Sequence, residues 1–126
     1  SKVDVQMEVP PENENLLIVN KDRTQLLMAL FNIIEHAVKY SRGETAFITI
    51  TKSLDRLSIV IQDQGMGIPP EALKDLSKPF YRANNTNAIQ GSGIGLSIAL
   101  RILEKNSIDY KIDSQEGKGT RIEINL

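Results

Sequence analysis

The sequence predicts an α+β fold: a two-layer α/β sandwich in which a mixed sheet of about five strands carries about three helices on one face. Three observations lead there. Two apolar runs, 45–52 and 56–62, are separated by the short turn 53–55, as in a pair of adjacent strands. A long stretch, 22–41, carries Leu26, Leu30, Ile33, Ile34 and Ala37 on one stripe at helical spacing. A second helical run over 92–105 leads into two strand-like segments that close the chain.

Each element follows from its own pattern. Val3, Val5 and Met7 alternate with polar residues, the mark of a half-buried strand. The Pro/Glu/Asn-rich stretch 10–15 is a turn, and 16–19 a short strand. In the long helix, Asn32, His36 and Lys39 share a second stripe roughly opposite the apolar one, and Arg42-Gly43 ends it. Pro69, Pro70 and Glu71 open a short helix with proline in its first turn. Residues 78–90 are polar, rich in Asn and aperiodic; loops of that length are functional or mobile more often than not. The helix over 92–105 stacks Ile94, Ile98 and Ile102. The segments 108–112 and 120–126 form a hairpin around Glu116-Gly117.

Bulk composition narrows the function. The 126 residues make one domain, 1–126, with the apolar and charged content of a soluble globular protein. A net charge of −1 offers nothing to a nucleic-acid backbone or a membrane surface, so no nucleic acid is expected as a partner. The absence of cysteine excludes disulfides, thiolate metal sites and a cysteine nucleophile. No run approaches the ~20 apolar residues of a membrane span, and no signal peptide is visible. A chain opening at Ser1 directly in a strand is expected to be an excised domain, whose parent could be membrane-bound.

Three glycine-bearing blocks carry the chemistry: Asp63-Gln64-Gly65-Met66-Gly67-Ile68-Pro69, Gly91-Ser92-Gly93-Ile94-Gly95-Leu96-Ser97 and Gly117-Lys118-Gly119-Thr120. Glycine serves where a backbone bends sharply or approaches another group closely. Asp63 follows an apolar strand, where a carboxylate can accept from the exocyclic amine of adenine while Gly65 and Gly67 let backbone lie against the base; the plain alternative is an Asp-X-Gly turn. The second block runs into a helix whose first N–H groups can hold phosphate oxygens; the alternative is a hinge. It is neither a Walker loop nor a G-x-G-x-x-G fingerprint. Lys39 and Arg82 can neutralise phosphate, or remain solvated surface charges. His36, the only histidine, is a pocket-lining or structural residue rather than a phosphoacceptor. Together the three blocks suggest a nucleotide pocket.

In combination, the blocks resemble the ATP-binding catalytic domain of sensor histidine kinases, in the superfamily shared with DNA gyrase, the MutL proteins and a heat-shock chaperone. The resemblance spans nearly the whole chain. Phe31-Asn32-Ile33-Ile34-Glu35-His36-Ala37-Val38-Lys39-Tyr40-Ser41 matches the asparagine box. The block from Asp63 matches the first glycine box, and Lys78-Pro79-Phe80-Tyr81-Arg82 the phenylalanine box. The block from Gly91 matches the second glycine box, and the block from Gly117 resembles the third.

The resemblance implies a Bergerat-type fold and a set of roles. Asp63 binds the adenine amine and Tyr40 flanks the base. Ile68, Tyr81, Leu96 and Thr120 join them around the nucleotide. Lys39 and Arg82 contact phosphates. Residues 78–90 form a mobile lid anchored by Phe80, and Gly91, Gly93 and Gly95 let lid backbone wrap the phosphates. Asn32 and His36 take the metal positions for Mg²⁺, but the family carries a second asparagine where His36 stands, and an imidazole nitrogen is a poor Mg²⁺ ligand. Gln64 replaces a usual asparagine, and Asn106-Ser107-Ile108 stands where the family often has His-Gly-Gly. The ATPase branches carry a glutamate as water-activating base where this chain has Asn32, which points to transfer onto a protein side chain.

The expected function is therefore ATP binding and presentation of the γ-phosphoryl group to a histidine on a separate dimerisation and phosphoacceptor domain. A response-regulator receiver domain is the downstream partner. The isolated domain is expected to be a cytoplasmic monomer, and its parent a homodimer, with an inner-membrane sensor as one form of it. The alternative is a degenerate, non-catalytic nucleotide-binding or signalling module, on the strength of His36.

Overall fold

The computed structural model describes residues 3–8, 21–52, 56–73 and 92–126. Five strands and three helices occur among them: β1 (Val3–Glu8), α1 (Arg23–Lys39), β2 (Ala46–Lys52), β3 (Leu57–Asp63), α2 (Pro70–Leu73), α3 (Ser92–Lys105), β4 (Asp109–Gln115) and β5 (Gly119–Asn125). The sheet runs β1-β2-β3-β5-β4, with β1 parallel to β2 and every other pair antiparallel.

Local chemistry sets the helix limits. The Asp22 carboxylate caps α1, accepting from the Gln25 N–H at 3.0 Å. At the other end the Tyr40 N–H still reaches the His36 carbonyl at 3.1 Å, and Arg42 (φ 57°) and Gly43 (φ 81°) then turn the chain away in the left-handed region. The end of α3 is tied to the start of α1. Asn106 donates to Gln25 Oε1 at 2.8 Å, and Lys21 Nζ donates to the Asn106 carbonyl at 2.8 Å.

The core lies between the sheet and the two long helices. Ala29, Ile33 and Ala37 of α1 and Leu96, Ala99, Leu100 and Leu103 of α3 face Ile48, Ile59, Ile61, Ile122 and Ile124. Cross-strand pairing aligns these inward residues in rows. Ile59, Ile124 and Tyr110 form one row, and Ile61, Ile122 and Ile112 the next. The two-residue period of the strands then puts Asp63, Thr120 and Ser114 in the following row, at the end of the sheet. Burying an isoleucine there would be worth about 1.5–3 kcal/mol. Three polar side chains forgo that gain, and their hydrogen bonds must offset the burial.

The architecture agrees with the expected two-layer sandwich, and several details differ. Asp63 is the last residue of β3 rather than the residue after it, because it pairs with Thr120. The strand expected over 108–112 is β4, which continues to Gln115, while Ile108 precedes it and is buried. Val3 and Val5 are exposed: β1 is an edge strand. In α3 the buried stripe is Leu96, Ala99, Leu100 and Leu103; Ile98 is 41% exposed and Ile102 only partly covered, so these two isoleucines flank the core face. In α1, Asn32 and His36 are half-buried, so their stripe borders the apolar one. The outward face belongs to Leu27, Met28 and Phe31. The spacing is helical in both cases; which of two adjacent stripes faces inward is decided by packing. The expected turn over 10–15, the strand over 16–19, the turn over 53–55 and the loop over 78–90 lie outside the described residues. Among the described residues, no helix is long and apolar enough to cross a membrane.

Candidate functional site

The end of the sheet and the facing parts of α1 and α3 bring together most of the residues singled out from sequence. Asp63 is at its centre, 4% exposed. Its Oδ1 accepts the Gly65 N–H at 2.8 Å, and the Thr120 N–H also bonds its carboxylate. Burial pushes the carboxyl above its ordinary 3.8, and the two backbone N–H groups pull it partly back. A buried carboxylate with so few partners can accept another donor.

The glycines of the first and third blocks interlock. A Cβ on Gly65 would sit 1.6 Å from the Tyr40 carbonyl oxygen, and that same carbonyl accepts the Met66 N–H at 3.3 Å. Gly67 (φ 71°) would meet the Gln115 carbonyl oxygen at 2.2 Å, and the Gly117 N–H donates to the Met66 carbonyl at 2.7 Å. Gly119 (φ 122°) passes against the backbone of Asp63, whose carbonyl oxygen its Cβ would approach to 2.2 Å. Gly65 and Gly67, expected to let backbone lie against a base, have protein backbone as their own close neighbours. Their effect is to dock the loop after β3 onto the end of α1 and the β4–β5 turn.

In the second block Gly93 and Gly95 lie in α3, whose span, Ser92–Lys105, is the one expected. A Cβ on Gly95 would stand 3.8 Å from Asn32 Oδ1, which places the first turns of α3 beside the middle of α1. Leu96 is 1% exposed and part of the core, and Ile68 is also buried there. Gly91, Phe80, Tyr81 and Arg82 lie outside the described residues.

Along α1, the His36 ring stacks on Tyr40 with centroids 4.7 Å apart and planes tilted by 46°. Loss of water, and then the nearby Lys39 charge, lower the His36 pKa to about 4, so its imidazole is neutral at pH 7. Tyr40 is buried, and Lys39 is exposed. For a metal, this helix supplies the Asn32 amide oxygen and the His36 nitrogen. The first fits Mg²⁺, which prefers oxygen; the second does not. Among the described residues no three His, Cys, Asp or Glu side chains cluster as a cage. An open hollow of about 310 Å³, lined by Gln62, Asp63, Lys118, Thr120 and Arg121 among others, sits on the strand side of Asp63 and does not reach α1.

One site residue escaped the sequence reading. Ser114 reaches three groups: the Ile68 N–H at 2.8 Å, the Gly119 carbonyl at 3.0 Å and the Thr120 hydroxyl at 2.9 Å. It thereby links the first and third glycine blocks. The available signal was its place two residues after Ile112 on the inward side of a strand, which the short reading of β4 cut off.

The comparisons agree with this geometry. A family model described as "Histidine kinase-, DNA gyrase B-, and HSP90-like ATPase" matches residues 21–126. Sporulation kinase C of Bacillus subtilis (strain 168) is 34% identical over 110 residues, 86% of this chain and 25% of that protein. The sensor histidine kinase WalK of the same organism is 36% identical over 115 residues, 87% of this chain and 19% of its own. The chain thus spans a quarter or less of the length of these two curated relatives. Among solved structures, the mycobacterial sensor histidine kinase MprB superposes with a TM-score of 0.75 at 27% identity, covering 98% of this chain and 82% of that one. The catalytic domain of the histidine kinase ThkA shares the fold, with a TM-score of 0.73.

Proposed function

Since the chain belongs to the histidine kinase-, DNA gyrase B- and HSP90-like ATPase family, we propose that it is the ATP-binding catalytic domain of a two-component sensor histidine kinase. Family membership implies ATP as the nucleotide. The observation that carries the site assignment is the buried Asp63 carboxylate, held at the sheet end by Gly65 and Thr120.

In this reading, Asp63 accepts the amine of adenine and the Tyr40 ring flanks the base. Asn32 and Lys39 on α1, with Arg82, meet the phosphates. Catalysis is positioning and charge neutralisation. The γ-phosphoryl group passes to the imidazole nitrogen of a histidine on a separate dimerisation and phosphoacceptor domain, and ADP leaves. Asn32 supports this over hydrolysis, because an amide cannot take a proton from water. A response-regulator receiver domain then takes the phosphoryl group. This chain is a monomer on the cytoplasmic side, where ATP is, and its parent is a dimer that can sit in the inner membrane. Mg²⁺ brings charge neutralisation when bound. Only Asn32 of the α1 pair suits it, and no step here runs through the metal.

The test is calorimetric titration with ADP. Asp63→Asn keeps the size of the side chain and exchanges one acceptor oxygen for a donor. Loss of a charge-assisted hydrogen bond costs about 1.5–3 kcal/mol, roughly ten- to a hundredfold in affinity. Binding by the variant within about twofold of the parent would remove the assignment. Labelled phosphate appearing on the acceptor domain, and not in solution, supports transfer; free phosphate from this chain alone refutes it.

A further inference from the structure

We infer that Ser114 is a specificity-determining, positioning residue: it fixes the direction of the Thr120 hydroxyl, and so makes the Asp63–Thr120 edge a pair of acceptors that favours a base with an exocyclic amine over one with a keto group. The inference rests on the nucleotide reading of Asp63.

The number of hydrogens available fixes the direction of each bond. A serine hydroxyl has one hydrogen to give and two lone pairs to accept with. The Gly119 carbonyl can only accept, so the Ser114 hydrogen goes there, at 3.0 Å. The Ile68 N–H can only donate, so it takes one Ser114 lone pair, at 2.8 Å. The remaining neighbour is Thr120 Oγ1, at 2.9 Å. Both hydroxyls could donate in an isolated pair. Here the Ser114 hydrogen is already placed, so Thr120 must donate to Ser114. All three contacts are then satisfied, and no other assignment satisfies them.

The consequence falls on the neighbouring strand. Thr120 pairs directly with Asp63 across β3 and β5, and both side chains are buried on the same face. With its hydrogen committed to Ser114, Thr120 Oγ1 has only lone pairs left for a ligand. The Asp63 carboxylate also accepts. Two adjacent acceptors suit an amine, which carries two hydrogens. They repel a keto oxygen in the same place. Ser114 acts through Thr120 and needs no contact with the base. The half-buried site and the Ile68 bond hold it in place, since rotating Ser114 would leave the Ile68 N–H without its acceptor.

The experiment titrates ADP and inosine diphosphate, which differ in having an amine or a keto oxygen at that position, against the parent, Ser114→Ala, Thr120→Val and Asp63→Asn. The parent should prefer ADP. In Ser114→Ala the Thr120 hydrogen is released and can turn to the keto oxygen, so the preference should fall by roughly five- to tenfold. A purely structural role would weaken both ligands equally and leave their ratio unchanged, and that result overturns the inference. If Ser114→Ala does not fold, Thr120→Val decides: removal of the hydroxyl should also erode the ratio, and an unchanged ratio overturns the inference. Failure of the underlying reading is separate. If Asp63→Asn loses ADP while the Ser114→Ala ratio holds, only this inference falls; if the parent binds neither ligand, both fall.

Discussion

Gly65→Ala isolates the docking of the loop after β3 onto α1. The added Cβ would lie 1.6 Å from the Tyr40 carbonyl oxygen, with Asp63 Oδ1 at 3.0 Å from it. Cβ atoms essentially never approach closer than 3.0 Å, so the loop must move by about 1.4 Å, the difference between those two distances. It has little room to do so, because the carboxylate stands close by. The Met66 N–H bond to the Tyr40 carbonyl, already 3.3 Å long, would be lost, and the 2.8 Å bond from the Gly65 N–H to Asp63 would be distorted. A lost hydrogen bond of about 0.5–1.5 kcal/mol and overpacking of about 1–3 kcal/mol together predict a destabilisation of roughly 2–4 kcal/mol. For a chain of 126 residues that is a Tm decrease of roughly 8–15 °C. Displacing Asp63 should also weaken ADP. The control is Gly117→Ala, where nothing lies within 4 Å and the only cost is φ 85°, about 1–2 kcal/mol. Urea denaturation of the three proteins measures both. A Gly65→Ala loss smaller than that of Gly117→Ala would refute the argument from space.

Two further predictions concern His36. Its folded pKa of about 4 lies below the ordinary 6.5, so between those values the unfolded chain binds the proton first; stability should be complete above pH 6.5 and decline as the pH falls toward 4, a decline that His36→Gln should lack, and equal slopes of stability against pH in the two proteins would show that His36 is not responsible. His36→Asn exchanges a nitrogen for an amide oxygen one helical turn from Asn32, so affinity for an ATP analogue should depend more steeply on Mg²⁺ in the variant, by about threefold or more across a Mg²⁺ series; identical metal dependence would mean that His36 only packs against Tyr40.

Much of the fold was legible because its signals are local. The 3.6-residue stripe of Leu26, Leu30, Ile33 and Ala37 and the Gly43 exit specify α1 without reference to anything distant. The apolar run of β3 does the same for the sheet centre, and the first and third glycine blocks mark where backbones meet. The nucleotide reading of Asp63 also came from local context, an acid at a strand end ahead of two glycines. What could not be read were relations between segments. Residue order alone does not say whether Ile98 or Leu100 faces the sheet, since both lie on apolar stripes and only the position of α1 separates them. Nor does it say that Gly65 meets the Tyr40 carbonyl, that Gly67 meets Gln115, or that Ser114 gathers Ile68, Gly119 and Thr120. The chemical character of the site resides in residue types and short spacings, and the sequence by itself determined that much. Its hydrogen-bond polarity and its close contacts depend on the register of three strands and the seating of a helix end, and those exist only once the chain has folded.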